Sequence, residues 1–426
     1  MLLNTSFLLI IGINCSFDYS GQYILKCSVS SKAEVNQLRK FDIVGHKKGK
    51  SIIRVKNLDE KLEAERVAPC EVISDDISKL LNIQSAPKVR RQAGFNHNET
   101  LTDEKFFSAY QRYEVIRSQY KQWALKYPHL TNYVGNIGKT HENRTIFAMD
   151  VTNRNNSGPK RDIIYIGGQH AREWISPAAV AYITHKLITD FETNPLIKQH
   201  MNQYIFRIIP VANPDGYEYS HNKDRFWRKN RRPNSLLDFG VDLNRNWNDH
   251  WSLYGSSNNT WEDVYNGPSP NSEPEVQSII NYIMKFPKRY GVIDWHSFGQ
   301  LILRNWGWTT TDSKNEPQLI EASQKMVDAF KEHGYTYRHQ KSSGLYQASG
   351  SADDWMTSVA GMFALTVELC PSEEQHDTIM GFSLPATDLV KCASSAYDAS
   401  KVFVQYLSDN PNIPPNEILQ KNITKY

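Results

Sequence analysis

The chain lacks a long hydrophobic run. The only extended apolar stretch of its 426 residues is 1–13, well short of the ~20 residues that span a bilayer. A membrane anchor is therefore not expected, and the polar, Pro-containing tail 411–426 carries no lipid-anchor signal. Charge of one sign is scarce as well: 49 Lys and Arg against 46 Asp and Glu leave a net +3. So mild an excess argues against a nucleic-acid partner, which shows as a concentrated basic patch or a domain pI above ~9. Internal repeats and low-complexity tracts are absent, which excludes solenoid and disordered classes. What is there is folded-protein composition: 40% hydrophobic residues, with 10 Trp and 22 Tyr. At ~100–200 residues per domain the length points to two globular units.

The apolar start is followed by Asn14, Cys15 and Ser16. This pattern reads as a secretory signal peptide over 1–16, although its first residues carry no Lys or Arg; the other reading is a buried N-terminal strand. Loss of the signal leaves Cys27, Cys70, Cys370 and Cys392. An even count in an exported protein suggests disulfides. One bridge per domain gives Cys27–Cys70 and Cys370–Cys392, out of three pairings that four cysteines allow. Asn-x-Ser/Thr sequons at Asn98, Asn143, Asn155, Asn258 and Asn422 fit the same compartment.

Residues 17–87 read as a small α+β unit, with strands near 23–30 and 51–56 and a helix over 32–41. The segment 86–94 then places three basic residues in four beside Pro and Gly. It reads as an exposed linker, open to a trypsin-like protease or serving as a plain hinge. From 105 to 408 strands (161–168, 204–211, 291–296, 362–369) alternate with helices (175–191, 274–286, 317–334, 389–407). Ser272-x-x-Glu275 reads as a capping box with Pro274 in the first turn. Such alternation predicts an α/β sheet covered by helices on both faces.

Titratable residues recur where these strands end. His170 and Glu173 follow the first strand, His296 closes the third and Glu368 closes the fourth. Ligands of open α/β sheets bind beyond the carboxyl ends of strands. A His and a Glu three apart at a strand–helix corner can reach one metal ion. Zinc accepts imidazole nitrogen and carboxylate oxygen, and a catalytic zinc keeps three protein ligands.

The surrounding string, Gly167-Gly-Gln-His-Ala-Arg-Glu-Trp-Ile-Ser-Pro177, resembles the zinc carboxypeptidases of the pancreatic A/B type. Further matches follow in order: Ile209-Pro-Val-Ala-Asn-Pro-Asp-Gly-Tyr217, Phe226-Trp-Arg-Lys-Asn230, Val241-Asp-Leu-Asn-Arg-Asn-Trp247, Asp294-Trp-His-Ser297, Leu345-Tyr-Gln-Ala-Ser-Gly350 and Thr366-Val-Glu-Leu369. The resemblance implies a mixed, mostly parallel central sheet flanked by helices, preceded by a small α+β, ferredoxin-like activation domain. The implied layout is a signal at 1–16, an activation domain and basic cleavage linker at 17–91, a catalytic domain at 92–410 and a polar tail at 411–426.

The same resemblance assigns roles. His170, Glu173 and His296 would ligate one Zn2+, with Asp242 orienting the first histidine. Glu368 would be the general base and Arg228 would support the oxyanion. Asn244 and Arg245 would grip the terminal carboxylate of a peptide or protein substrate, since Arg offers a planar two-point fork. Arg172 would be a further substrate-side arginine and Tyr346 a mobile lid. The activation segment would cover the cleft until a trypsin-like protease cuts after Arg91. A secreted monomer is expected, with neither membrane nor nucleic acid as partner.

The position that separates A-type from B-type members falls on Asp353. It is apolar in the former and Asp in the latter, so basic C-terminal residues are favoured here. Lys341 and Arg304, expected in loops near the pocket, could narrow it or offset its charge. Phe298 stands where many members carry Tyr, the segment after Glu368 is longer and more acidic than usual, and the family's middle-region disulfide has no cysteines here. Other readings remain: A-like specificity, or a secreted peptide-binding protein without catalysis. A nucleic-acid or glycan-binding module would explain the six cations of 223–232 but not the ordered motifs.

Overall fold

The computed structural model describes residues 19–77 (apart from 39 and 48), 101–372 and 379–413. The signal segment, Arg91 with its linker, and the tail beyond 413 lie outside them. Two sheets organise the described residues. The first holds β1 (Tyr23–Ser28), β2 (Asp42–Lys47), β3 (Lys50–Val55) and β4 (Cys70–Ser74) in the order β2-β3-β1-β4, with helices Lys32–Leu38 and Leu58–Val67 between them. Every pairing is antiparallel. This is the β-α-β-β-α-β ferredoxin-like arrangement. Alternation along its strands sets both faces. Leu25, Cys27, Ile53 and Val55 pack with Leu38 and Ala64 of its own helices, while Ile24 and Ile52 pack against Phe226 and Phe382 of the larger unit.

The second sheet has eight strands: β5 (Thr131–Lys139), β6 (Thr145–Val151), β7 (Arg161–Gly167), β8 (Tyr204–Ile209), β9 (Arg289–Gly299), β10 (Leu301–Arg304), β11 (Arg338–Lys341) and β12 (Phe363–Ser372). Their order is β11-β10-β12-β9-β7-β8-β6-β5. The four central strands are parallel, and antiparallel pairs enter towards both edges. The expected mixed, mostly parallel sheet is thus present. Period-two alternation divides its core: Ile163, Tyr165, Ile293 and Trp295 pack beneath helices Ile175–Thr189 and Ala386–Asp409, while Ile164, Ile166, Val292 and Ala364 face Pro274–Ile283 and Ala352–Ser358. Both disulfides form as expected, Cys27–Cys70 across β1 and β4 and Cys370–Cys392 between β12 and the last helix.

One local expectation fails. The helix at 274 begins one residue later than the capping-box reading requires, because Asn246 Oδ1 accepts from the Glu273 amide (3.0 Å) and holds that residue extended as the N-cap. The Ser272 hydroxyl donates to Glu273 Oε1 (2.7 Å) instead of capping, and Glu275 turns inward to Asn230. Among the described residues no helix is long and apolar enough to cross a membrane.

Candidate active site

Chain order runs from β7 to β8 on one side and returns to β9 on the other, so the order in which parallel strands are added reverses between β7 and β9. That reversal opens a crevice beyond the strand ends. Gly168 makes the exit from β7 at φ +66, and a Cβ there would press on Pro177 and Val211. The turn drops His170 and Glu173 into the crevice. β9 presents Asp294 and His296 on one face, and Glu368 of β12 lies in register beside His296.

The donor atoms converge. His170 Nδ1 lies 2.8 Å from Glu173 Oε1, His296 Nδ1 lies 2.9 Å from Glu173 Oε2, and the two Nδ1 atoms are 3.1 Å apart. All three residues are buried. Two ring nitrogens turned onto one buried carboxylate require a cation or protons among them, and the N, N, O donor set fits zinc. The far side of each ring is held too. His170 Nε2 is 3.0 Å from Asp242 Oδ1, and His296 Nε2 is 2.8 Å from Asp294 Oδ2. Such partners fix the tautomer and raise ligand basicity. Burial opposes ionisation of Glu173, but the two imidazoles outweigh it and keep the carboxyl far below its usual range. Burial also disfavours protonated His296, yet Asp294 and Glu173 raise its pKa well above normal.

Glu368 is the contrasting carboxylate. Burial pushes it up to about 8, with Glu173 and Asp294 adding to the rise and His296 and Arg228 opposing it. A bound cation would pull it back toward the carboxylate range. Arg228 donates from Nε and Nη2 to Asp242 Oδ2 at 3.1 and 2.9 Å. Although burial disfavours its charge, Asp242 holds it firmly cationic. Asn244 Oδ1 accepts from the Ala352 amide (2.8 Å), and Arg245 donates to the Tyr346 hydroxyl (3.0 Å). Tyr346 is 39% exposed while Arg245 is buried. Asp353 lines the same cavity at 5% exposure, within 3.4 Å of Ser342 Oγ, and burial raises its pKa.

Arg172 is engaged from the small unit. Its Nη1 donates to Asp42 Oδ1 of β2 (3.0 Å) and to Asp263 (3.1 Å), and its Nη2 donates to the Ile43 carbonyl (3.2 Å). Phe41, Ile43 and Ile52 line the cavity with His170, Glu173 and Glu368. Two expected neighbours are absent from this lining. Arg304 and Lys341 sit in strands, not loops, and turn to other partners: Arg304 to Glu316 (3.0 Å) and Lys341 to Asp312.

The crevice thus brings together every expected site residue among the described ones. Sequence reasoning missed Asp294, Gln169, Asp42 and Phe382. The Asp294–His296 pair was readable from i, i+2 spacing on one strand face. Gln169, which donates to Asp294 Oδ2 at 2.6 Å, and Phe382, whose ring lies 4.5 Å from the Arg172 guanidinium, carry no local signal.

Comparison with known proteins agrees with this geometry. The zinc carboxypeptidase family model matches residues 116–399. Carboxypeptidase A2 of Mus musculus is 32% identical over 80% of this chain and 79% of its own length. Carboxypeptidase B of Astacus astacus is 33% identical over 71% of this chain and 98% of its own. The crystal structure of carboxypeptidase A from Helicoverpa armigera superposes with a TM-score of 0.79 at 25% identity, covering 92% of this chain and 99% of that one. The chain belongs to the zinc carboxypeptidase family. It is a metallocarboxypeptidase, a hydrolase whose family acts on peptide C-termini, with relatives of both A and B names at similar identity.

Proposed function

We propose that the chain is the zymogen of an exported carboxypeptidase that removes C-terminal Lys and Arg. The observation that carries the specificity is Asp353, a buried carboxylate in the cavity wall. The nearby cations Arg304 and Lys341 are committed to Glu316 and Asp312. A substrate ammonium or guanidinium would relieve that carboxylate, whereas an apolar side chain would leave it buried and unpaired.

The roles follow from position. Arg245 forks the terminal carboxylate, with Asn244 beside it, and the Tyr346 hydroxyl leaves Arg245 to close over the bound residue. Arg172, released from Asp42, becomes a second cationic contact for the substrate carboxylate. His170, Glu173 and His296 would hold one zinc ion, kept in register by Asp242 and Asp294. Zinc bound there supplies Lewis acidity, lowering the pKa of water toward ~7. Glu368 takes the proton of the attacking water and hands it to the leaving amine. Arg228 offers a fixed cation to the oxygen on which charge develops.

The small unit is read as the activation domain. Its Asp42 carboxylate sits on Arg172, and its Phe41, Ile43 and Ile52 line the cavity. Cleavage after Arg91 by a trypsin-like protease would free it. Export is supported by the apolar leader, the two disulfides and exposed sequons at Asn143, Asn155 and Asn258.

The test is hydrolysis of matched peptides ending in Arg, Lys, Phe and Leu, by the intact and the trypsin-clipped chain, with and without a zinc chelator. The expected result is chelator-sensitive release of Arg and Lys after clipping. Release of Phe or Leu instead would overturn the specificity. Full activity before clipping would overturn the zymogen, and silence on every peptide with zinc bound would favour a peptide-binding role.

A further inference from the structure

A second group of imidazole and carboxylates lies apart from the crevice. His141 sits in the turn between β5 and β6, and Glu273 and Glu275 flank the start of the helix Pro274–Ile283. One ligand atom from each lies within 4.8 Å of the others. Glu273 and Glu275 are both fully buried, while His141 keeps 21% of its side chain exposed, which leaves a path from solvent.

The polar groups divide in an informative way. Glu273 Oε1 is satisfied by Arg232 Nη1 (3.1 Å) and the Ser272 hydroxyl (2.7 Å). Its Oε2 lies 2.9 Å from His141 Nε2 and accepts from Asn230 Nδ2 (2.7 Å). Glu275 Oε2 accepts from the same Asn230 amide (3.1 Å). Glu275 Oε1 has no hydrogen-bond partner outside its own residue among the described residues. A buried carboxylate oxygen that accepts from nothing outside its own residue is poorly satisfied. Two buried carboxylates lie here beside one arginine and one imidazole.

We propose that His141, Glu273 and Glu275 form a second divalent-cation site, suited to zinc, that is structural and distinct from the crevice. The imidazole nitrogen favours a transition metal over calcium, which takes six to eight oxygens. Three protein donors and water reaching past His141 complete a four-coordinate shell. The site clasps the β5–β6 turn to the helix start and to Asn230. Asn230 Oδ1 in turn accepts from the amides of Val241 (2.8 Å) and Arg232 (3.2 Å), so the clasp steadies the loops that carry Arg228 and Asp242.

The experiment measures zinc per chain by mass spectrometry after equilibrium dialysis of the full chain against zinc, with melting followed in parallel. Wild type should bind two equivalents, the second of them raising the melting temperature. H141Q and E275Q should each bind one and lose that rise, while H170Q should lose the other equivalent and keep this one. H141Q alters a partly exposed side chain, so it decides the matter even if E275Q fails to fold. A single equivalent in wild type overturns the site, as does a second equivalent that survives H141Q. The readout is independent of peptide specificity, so failure here leaves the reading of the crevice untouched.

Discussion

The crevice has two walls, and they are built differently. One is the sheet itself: His296, Asp294 and Glu368 stand on adjacent parallel strands, with His170 and Glu173 one turn beyond a third. The other lies off the sheet: Arg228 and Tyr346 on loops and Asn244 and Arg245 on the short 3-10 helix Leu243–Arg245, with Arg172 at the corner. The sheet wall is rich in acids and imidazoles backed by further carboxylates. The loop wall is rich in arginines, each held by an acid, a carbonyl or a tyrosine hydroxyl. His296 and Glu368 thus take their spacing from paired strands, whereas the groups proposed to release a partner and receive substrate, Arg172, Arg245 and Tyr346, lie off the sheet.

The contrast can be broken most sharply at Glu368. Glu368→Gln should lower kcat by ~10²–10⁴-fold with KM little moved, and a comparable loss of peptide binding would contradict its assignment to proton transfer. Next comes the floor: Asp353→Leu should cost ~10²–10⁴-fold in kcat/KM on Arg and Lys ends, the equivalent of the ~3–5 kcal/mol lost when one partner of a buried ion pair is removed. Leu and Phe ends should gain, and unchanged ratios would show that the carboxylate does not face the substrate.

Smaller effects sharpen the sheet side. Asp242→Asn and Asp294→Asn should each weaken zinc binding by ~10–100-fold in a chelator competition. Arg172→Gln, on the loop side, should leave metal affinity unchanged while weakening docking of the clipped small unit.

The smallest expected effect is a pH dependence of that docking. Burial and the neighbouring Asp42 push Asp263 up to about 7, whereas Arg54 and Arg172 outweigh burial and keep Asp42 far below its usual range. The docked state therefore holds a proton on Asp263 that the undocked state gives up near pH ~3.9. Docking should weaken as pH rises from about 4 to about 7 and then level off. Loss of ionised Asp42 matters only in stronger acid. Binding of the clipped unit measured across that range checks the sign, and Asp263→Asn should flatten the curve.

Much of this was legible in the chain. The strand–helix alternation gave the parallel centre of the sheet, and the expectation that His170, Glu173, His296 and Glu368 follow or close strands pointed to the crevice, although β9 and β12 run on to Gly299 and Ser372. Periodicity reads local order well because both elements bury one stripe or one face. What stayed hidden depends on distant partners. Asp42 gains its role from a docking geometry, and its neighbouring sequence carries no trace of Arg172. The antiparallel edge strand β5 went unread, since it is mostly half-buried and its alternation is weak. Ser272 and Glu275 satisfied the spacing of a capping box, but Asn246, from a separate loop, decided where the helix starts.

The register of β12 against β9 also bears on how such a protein can change over generations. His296 and Glu368 are cross-strand neighbours, so their spacing is set by the ~4.8 Å repeat between hydrogen-bonded strands rather than by how surrounding side chains happen to fit. The residues proposed to choose the substrate lie instead on the Ala352–Ser358 helix and the loops around it. On that proposal a lineage can rewrite what it cuts, one pocket residue at a time, while the spacing of His296 and Glu368 is inherited unaltered.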